Sequence, residues 1–516
     1  MDTELKRFYE NMLEMYKEIS IHDAMLCKYN TEIFNKYYEA VSQDMMNYWK
    51  EYNKSLDKKF AEKDGVPCIN NQASKNIIPA SKHDIYNYST RQSMLNPQFH
   101  AIMKLDGRLD FYRLKRAVRL SFDAEPVLGS RFVEGVRPYW KRLENLDKIS
   151  FCSLEVTNNS DSAIFNFLQS HLDMSNDPMI KVKIIRAEKY DILAVKISNT
   201  CYDGVGTKEY IQLLSYIYSC LEQGITFEPE PRKHESNDQY WLTNELDVIS
   251  NSLIVNSLQD KSNTMWAFPW KQREGGASSS VCFEFCSFSQ PTLELIYQYG
   301  KSKGATVNDL ILTAYYRALF KISKPPYGAS MDISSAVNLR RYLPNYKTQA
   351  IRNLSGGSVS TIARTKNESF EGTLTRVMST TKKFKNRNAE FNNAISNENG
   401  ENIYFTHFHD YFEHMPQNSN FSVKSSTRID NVCFPGLSNL GYISPSLINF
   451  GKLIVTDANL LPPVVRSPGL LLFASSYNGT LTMSIGYCID SMRQRDMKSF
   501  LNIIKNELMR GCECKK

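Results

Sequence analysis

Leu105–Trp140 reads LDGRLDFYRLKRAVRLSFDAEPVLGSRFVEGVRPYW, and the fold is decided there. The segment FHAIMKLDG (99–107) is a short apolar run that ends in a turn, which predicts a strand. The next stretch places Leu109, Tyr112, Leu114, Ala117, Val118 and Phe122 on or near one face, the pattern of an amphipathic helix. VLGSRFVEGVRPYWKRL (127–143) then predicts a hairpin turning near Glu134-Gly135. A switch from period two to period 3.6 and back predicts a mixed α/β (α+β) chain.

The same alternation continues downstream. IKVKIIRAEKYDILAVKISN (180–199) predicts two strands turning at Glu188-Lys189, and CYDGVGTKEYIQLLSYIYSCLEQG (201–224) predicts a turn and a helix that Gly224 ends. From about 225 to 275 the chain is polar and rich in Asn, Ser and Trp, and is read as a crossover. Beyond it, SVCFEFCSF (280–288) predicts a strand, PTLELIYQYGKSKG (291–304) a helix, and TVNDLILTAYYRALFK (306–321) a second helix opened by Thr306. Alternation runs on to TLTMSIGYCID (480–490), with a last helix over about 494–510.

Upstream, Phe8, Met12, Met15, Tyr16 and Ile19 predict one helix, and Ile33, Phe34, Tyr37, Tyr38, Val41, Met45, Tyr48 and Tyr52 a second. They form either a hairpin packed on this chain or an oligomerisation or partner-docking arm. AEKDGVPCINNQASKNIIPA (61–80) has no period and reads as a linker. The expected division is therefore 1–60 helical extension, 61–80 linker, 81–235 first half, 236–275 crossover and 276–516 second half.

At 516 residues the chain exceeds one ordinary core. Its net charge of +7 is mild for this length and comes with no dense basic stripe, so nucleic acid is not an expected partner, while weak attraction to anionic small molecules is compatible with it. Eleven cysteines without a paired CxxC set argue against zinc, and no metal is expected. An odd cysteine count with no apolar leader predicts free thiols in a reducing cytoplasm, and no apolar run is long enough for a membrane span.

The order of these segments resembles the condensation-domain and alcohol acetyltransferase-like superfamily, related to chloramphenicol acetyltransferase. Residues 105–140 resemble its opening "G-x-L-D-x-x-x-L" helix and "P-x-L-(R)-x-R-F" strand. Thr306–Lys321 resembles the "T-x-N-D" helix, SAVNLRRYLP (335–344) the "V-(N/D)-L-R-x-x-L" strand and loop, and RNLSGG (352–357) the turn after it. LSNLGYI (437–443) resembles the late "S-N-L-G" loop and YNGTLTMSIGY (477–487) the closing hairpin. Together they span about residues 85–510. The resemblance implies two acetyltransferase-like halves with a tunnel between them, one mouth for an acyl thioester and the other for an acceptor alcohol or amine.

The family reaction centre reads H-H-x-x-x-D-G, because an attacking alcohol or ammonium must lose a proton and a neutral imidazole suits that task. Here the segment is Ser198-Asn199-Thr200-Cys201-Tyr202-Asp203-Gly204. Asp203 and Gly204 match, and Asn199 replaces the catalytic histidine. A carboxamide donates and accepts hydrogen bonds but is no base. The residues that the resemblance marks are Asn199, Asp203 and, as a substitute nucleophile, Cys201 for catalysis. For substrate contact it marks Gly204, Tyr202, Ser438 and Asn439. Arg340 and Asn338 are structural, with Arg340 or Arg341 as the partner of Asp203. Cys201 and Tyr202 are equally readable as a buried thiol and core packing, and Asn308-Asp309 as helix capping after Thr306. The histidines, including the cluster THFHDYFEH (406–414), fall in no matched motif.

Two functions follow. One is acyl transfer from a coenzyme A or carrier-protein thioester to a small-molecule amine or alcohol, with no bound cofactor beyond that co-substrate. The other is a non-catalytic family member that binds a carrier protein, a ligand or another enzyme.

Overall fold

The computed structural model describes residues 76–80, 84, 87–88, 91, 94–134, 138–230, 266–267, 280–342, 350–385, 432–467 and 469–513. The expected N-terminal helices, most of the crossover and the cluster 406–414 lie outside them. Asn76–Lys516 forms one compact unit.

The first-half strands are β1 (Ile77–Pro79), β2 (Met94–Asn96), β3 (Gln98–Leu105), β4 (Ser130–Val133), β5 (Tyr139–Arg142), β6 (Cys152–Val156), β7 (Ile180–Arg186) and β8 (Asp191–Ser198). Its helices are α1 (Phe111–Ala124), α2 (Ser160–Gln169) and α3 (Gly204–Glu222). The Asp110 carboxylate starts α1 by accepting from the Arg113 amide, satisfying an amide that the first turn leaves orphaned. The buried Asp191 carboxylate accepts from the Leu109 amide at 2.8 Å and pairs with Arg186, so the G-x-L-D entry is anchored to the β7–β8 turn. Leu114, Ala117, Val118 and Phe122 face the core as expected, but Tyr112 is 81% exposed, off the apolar stripe. The β4–β5 and β7–β8 hairpins pair antiparallel, Arg186 opposite Asp191.

Past the crossover, β9 (Trp266–Ala267) and β10 (Val281–Phe288) precede α4 (Gln290–Lys303) and α5 (Val307–Ser323). Gly304 ends α4 at φ 63°, left-handed backbone that glycine adopts without the Cβ penalty. Thr306 and Asp309 form a reciprocal capping box on α5. The remaining elements are β11 (Ser330–Asn338), β12 (Ser355–Ala363), α6 (Phe370–Lys385), β13 (Val432–Ile443), β14 (Val455–Leu461), β15 (Val464–Val465), β16 (Gly469–Tyr477), β17 (Thr480–Cys488) and α7 (Gln494–Glu513).

One sheet has the order β14-β3-β8-β7-β6, and another runs β10-β17-β16-β13-β11-β12 with β9 beside β13. In β8, the central strand of the first, all eight residues are buried, as expected of a strand covered on both faces. The two largest apolar clusters among the described residues lie one around Phe122, Leu193 and Tyr210 and the other around Leu319, Met483 and Phe500.

Two boundaries differ from the sequence division. Ile77–Pro79 belongs to the expected linker, yet pairs with Tyr139–Lys141; three residues at a sheet edge are too few to show a period, and proline is tolerated there. Val455–Leu461 belongs to the expected second half, yet pairs with His100–Leu105 in the first sheet. Its sequence, VTDANLL, mixes polar and apolar residues and gives no sign of that partner, and the strand places residues of the expected second half in the first sheet.

Candidate functional site

The motif segment lies where β8 gives way to α3. Its backbone is held from three sides. The Asn199 amide donates to Pro97 O (2.9 Å), the Asn353 amide donates to Cys201 O (2.8 Å), and the Tyr202 amide folds back to Ser198 O (3.2 Å).

Asp203 is the N-cap of α3. Its Oδ1 accepts from the Gly206 amide at 2.6 Å, and its Oδ2 accepts from Arg340 Nη1 at 2.8 Å and the Leu354 amide at 2.9 Å. A carboxylate at a helix N-terminus beside a guanidinium is favoured by both the dipole and the opposite charge. Arg340, one of the two arginines the sequence offered, is 4% exposed. It also donates from Nη2 to Arg352 O (2.6 Å) and sits 3.2 Å from Glu209 through Nε. Burial opposes its charge, but Asp203 and Glu209 outweigh that and its pKa is raised. Asn338 Oδ1 accepts from the Arg340 amide at 3.1 Å, which sets the turn that aims the guanidinium.

The RNLSGG segment completes this clamp. Asn353 Nδ2 donates to Asn199 O at 2.8 Å, and Arg352 reaches Asp84 Oδ2 at 2.9 Å, where Trp140 Nε1 also donates at 3.1 Å. Arg352, Asp84 and Trp140 are all buried. Trp140 is a letter of the Y-W motif, Arg352 opens the RNLSGG segment where the family pattern has Gly, and Asp84 lies in no matched segment, so the sequence gives none of the three a role.

The Asn199 side chain is only half-buried and has long contacts: Oδ1 is 3.5 Å from Asn353 Nδ2, and Nδ2 is 3.9 Å from Met94 Sδ. Three expected site residues sit elsewhere in the packing. Cys201 is fully buried, its thiol directed at Ser198 O, and burial followed by the Asp84 carboxylate pushes its pKa well up. A thiol held protonated and away from solvent is no nucleophile, which corrects its catalytic assignment. Tyr202 is fully buried in the first core beside Tyr210, so it is packing and not substrate contact. Gly204 is buried too: a Cβ there would meet Leu440 Cδ2 at 2.5 Å, so its requirement is close approach of α3 to β13.

Ser438 and Asn439 lie inside β13, not in a free loop. The strand carries a register shift between Asn439 and Tyr442, and Asn439 Oδ1 accepts from the Gly441 amide at 2.9 Å to shape it. Asn439 Nδ2 is 3.5 Å from Asn308 Oδ1. Lys208, which the sequence did not mark, projects from the first turns of α3 and donates to Leu440 O at 2.7 Å; burial lowers its pKa. The capping box at Thr306 occupies Asp309.

Of the eight histidines, His100 and His171 are described. His100 is fully buried between the rings of Phe167 and Phe283, with no hydrogen-bond partner on either nitrogen. Burial, then Lys196 and His171, hold it well below the usual imidazole range, so it is a neutral core residue.

No family model matches the chain, and no curated protein matches it. Solved structures do. Polyketide synthase associated protein 5 from Mycobacterium tuberculosis is 14% identical at a TM-score of 0.59, with 85% of this chain and 99% of that one covered. The first condensation domain of the CDA synthetase is 12% identical at 0.62, with 84% and 95% covered. The SgcC5 protein from Streptomyces globisporus is 12% identical at 0.63, with 84% and 99% covered. The chain has the condensation-domain fold.

Proposed function

We propose that this chain is a condensation-fold protein that binds an acyl thioester, on coenzyme A or a carrier protein, and has lost general-base chemistry at the motif. The observation that carries this reading is the contrast within one loop. The Asp203–Arg340–Leu354 clamp that shapes it is complete, while a carboxamide stands where the base belongs and the neighbouring thiol is inert. A positioned base contributes typically about 100- to 10,000-fold. The neighbouring starter condensation domain of rhizomide synthetase, bound to C8-CoA, supports a thioester as the class of ligand. Titration with a non-reactive acyl-coenzyme A thioether tests this: saturable binding is expected, and none at millimolar ligand contradicts it.

A second reading is slow acyl transfer driven by proximity. The Asn199 carboxamide favours it, because the Nδ2 contact to Met94 Sδ is long and weak and an amide N–H can donate to a thioester carbonyl instead. Thiol release in the presence of amine and alcohol acceptors separates the two.

A further inference from the structure

The first sheet has a face on which apolar and cationic residues divide cleanly. Toward one end Ile185, Ile192 and Ala194 are covered by Ala163 and Phe167 of α2. Toward the other, the paired strands β6, β7 and β8 set Ser153 opposite Lys183 and Lys181 opposite Lys196. This end is not filled. A cavity of 420 Å³ opens there, with Lys181, Lys183, Lys196, Ser153, Asn166 and Ser170 in its lining and no carboxylate.

The charges do not cancel. Lys181 pairs with Asp177 at 2.6 Å and Lys183 with Glu155. Lys196 is 1% exposed and, among the described residues, is in no ion pair, though Asp177 acts on it electrostatically. Its ammonium donates to the carbonyl oxygens of Phe167 (2.6 Å) and Ser170 (2.5 Å) and to Ser170 Oγ (2.6 Å), at the C-terminal end of α2, and lies 4.2 Å from the Phe167 ring. Those carbonyls stabilise a cation through the helix dipole, yet burial, then Lys181 and Lys183, push Lys196 down to about 7. Three lysines facing the two carboxylates Asp177 and Glu155 leave a net positive charge of at most one, carried by Lys196 as it protonates. The cavity volume is within the ~300–1,000 Å³ of small-molecule sites and far exceeds the need of a bare ion.

We propose that this cavity, separate from the motif loop, is a binding site for a small organic acid, its carboxylate held by Lys181 and Lys183 over the buried Lys196 and its body against Phe167. Bound there, the carboxylate supplies the missing counter-charge, and Ser153 and Asn166 are within the lining to donate to it.

Calorimetric titration of the full-length protein at low salt tests the site, using sodium benzoate as probe, with benzamide and inorganic phosphate as comparisons. Benzoate is expected to bind at least tenfold more tightly than benzamide or phosphate. Lys181→Gln and Lys183→Gln are each expected to weaken it about tenfold, with unchanged circular dichroism. Asn199→His is expected to leave it unchanged, which separates this site from the thioester site. Benzoate binding no tighter than benzamide, binding indifferent to both lysine variants, or binding of phosphate alone would each overturn the proposal.

Discussion

The two ends of one seven-residue segment, Ser198–Gly204, are built on opposite terms. At its far end, Asp203 makes three hydrogen bonds of 2.6–2.9 Å, and Gly204 lies tight against Leu440. At its near end the backbone is fixed, but the hydrogen bonds of the Asn199 side chain to described residues are long, 3.5 Å with Asn353 and 3.9 Å with Met94. The far end is an architectural device: it caps a helix, neutralises a buried guanidinium and ties the first half to the RNLSGG segment of the second. The near end carries Asn199, the position that the family resemblance marks for a reacting side chain, and the hydrogen bonds of its carboxamide to described residues are long. Within seven residues the segment is thus held tightly at one end and loosely at the other.

Substitutions along the segment sharpen this comparison. The largest effect is expected for Asp203→Ala, which removes the closer of the two carboxylates facing the buried Arg340, removes the α3 cap and frees the Leu354 amide. Breaking a buried pair from one side costs about 3–5 kcal/mol, and urea unfolding should show a loss of that size. An effect below about 1 kcal/mol would break the comparison. Gly204→Ala comes next. Its methyl must displace the Leu440 side chain, and overpacking of this kind costs about 1–3 kcal/mol, read as a lower melting temperature. Cys201→Ala removes a buried sulfur and is expected to cost about 1 kcal/mol, while leaving thioester binding unchanged. In the native protein the same thiol should resist iodoacetamide at pH 8 and react only after unfolding, because burial keeps it protonated. Asn199→Ala should be the mildest, within about 0.5 kcal/mol, as for a side chain without close partners.

Much of the fold was legible because it is written in local periods. The helix at 111–124, the hairpins and the capping box at Thr306 each carry their signal within a dozen residues. The ion pair of Asp203 with Arg340 was narrowed to two candidates by motif order alone, and geometry chose between them. What could not be read depends on partners far along the chain. Val455–Leu461, VTDANLL, carries little strand signal of its own, and only the folded chain places it beside β3. Asp84 gains its role from Arg352, 268 residues away. Tyr202 and Cys201 adjoin the catalytic position in sequence, and sequence adjacency made them site candidates; the turn that follows β8 instead drives both side chains into the core. Ser438 and Asn439 are loop residues by resemblance to the family's S-N-L-G loop, whereas pairing with β16 draws them into a strand and leaves only a bulge.

Thiol release from acyl-coenzyme A, measured with amine and alcohol acceptors for the wild type and for Asn199→His side by side, tests the central claim most directly. The account predicts a wild type at the uncatalysed background and a variant about 100-fold or more above it, because the clamp already holds position 199 and only the base is missing. A wild type that releases thiol as fast as Asn199→His would contradict it.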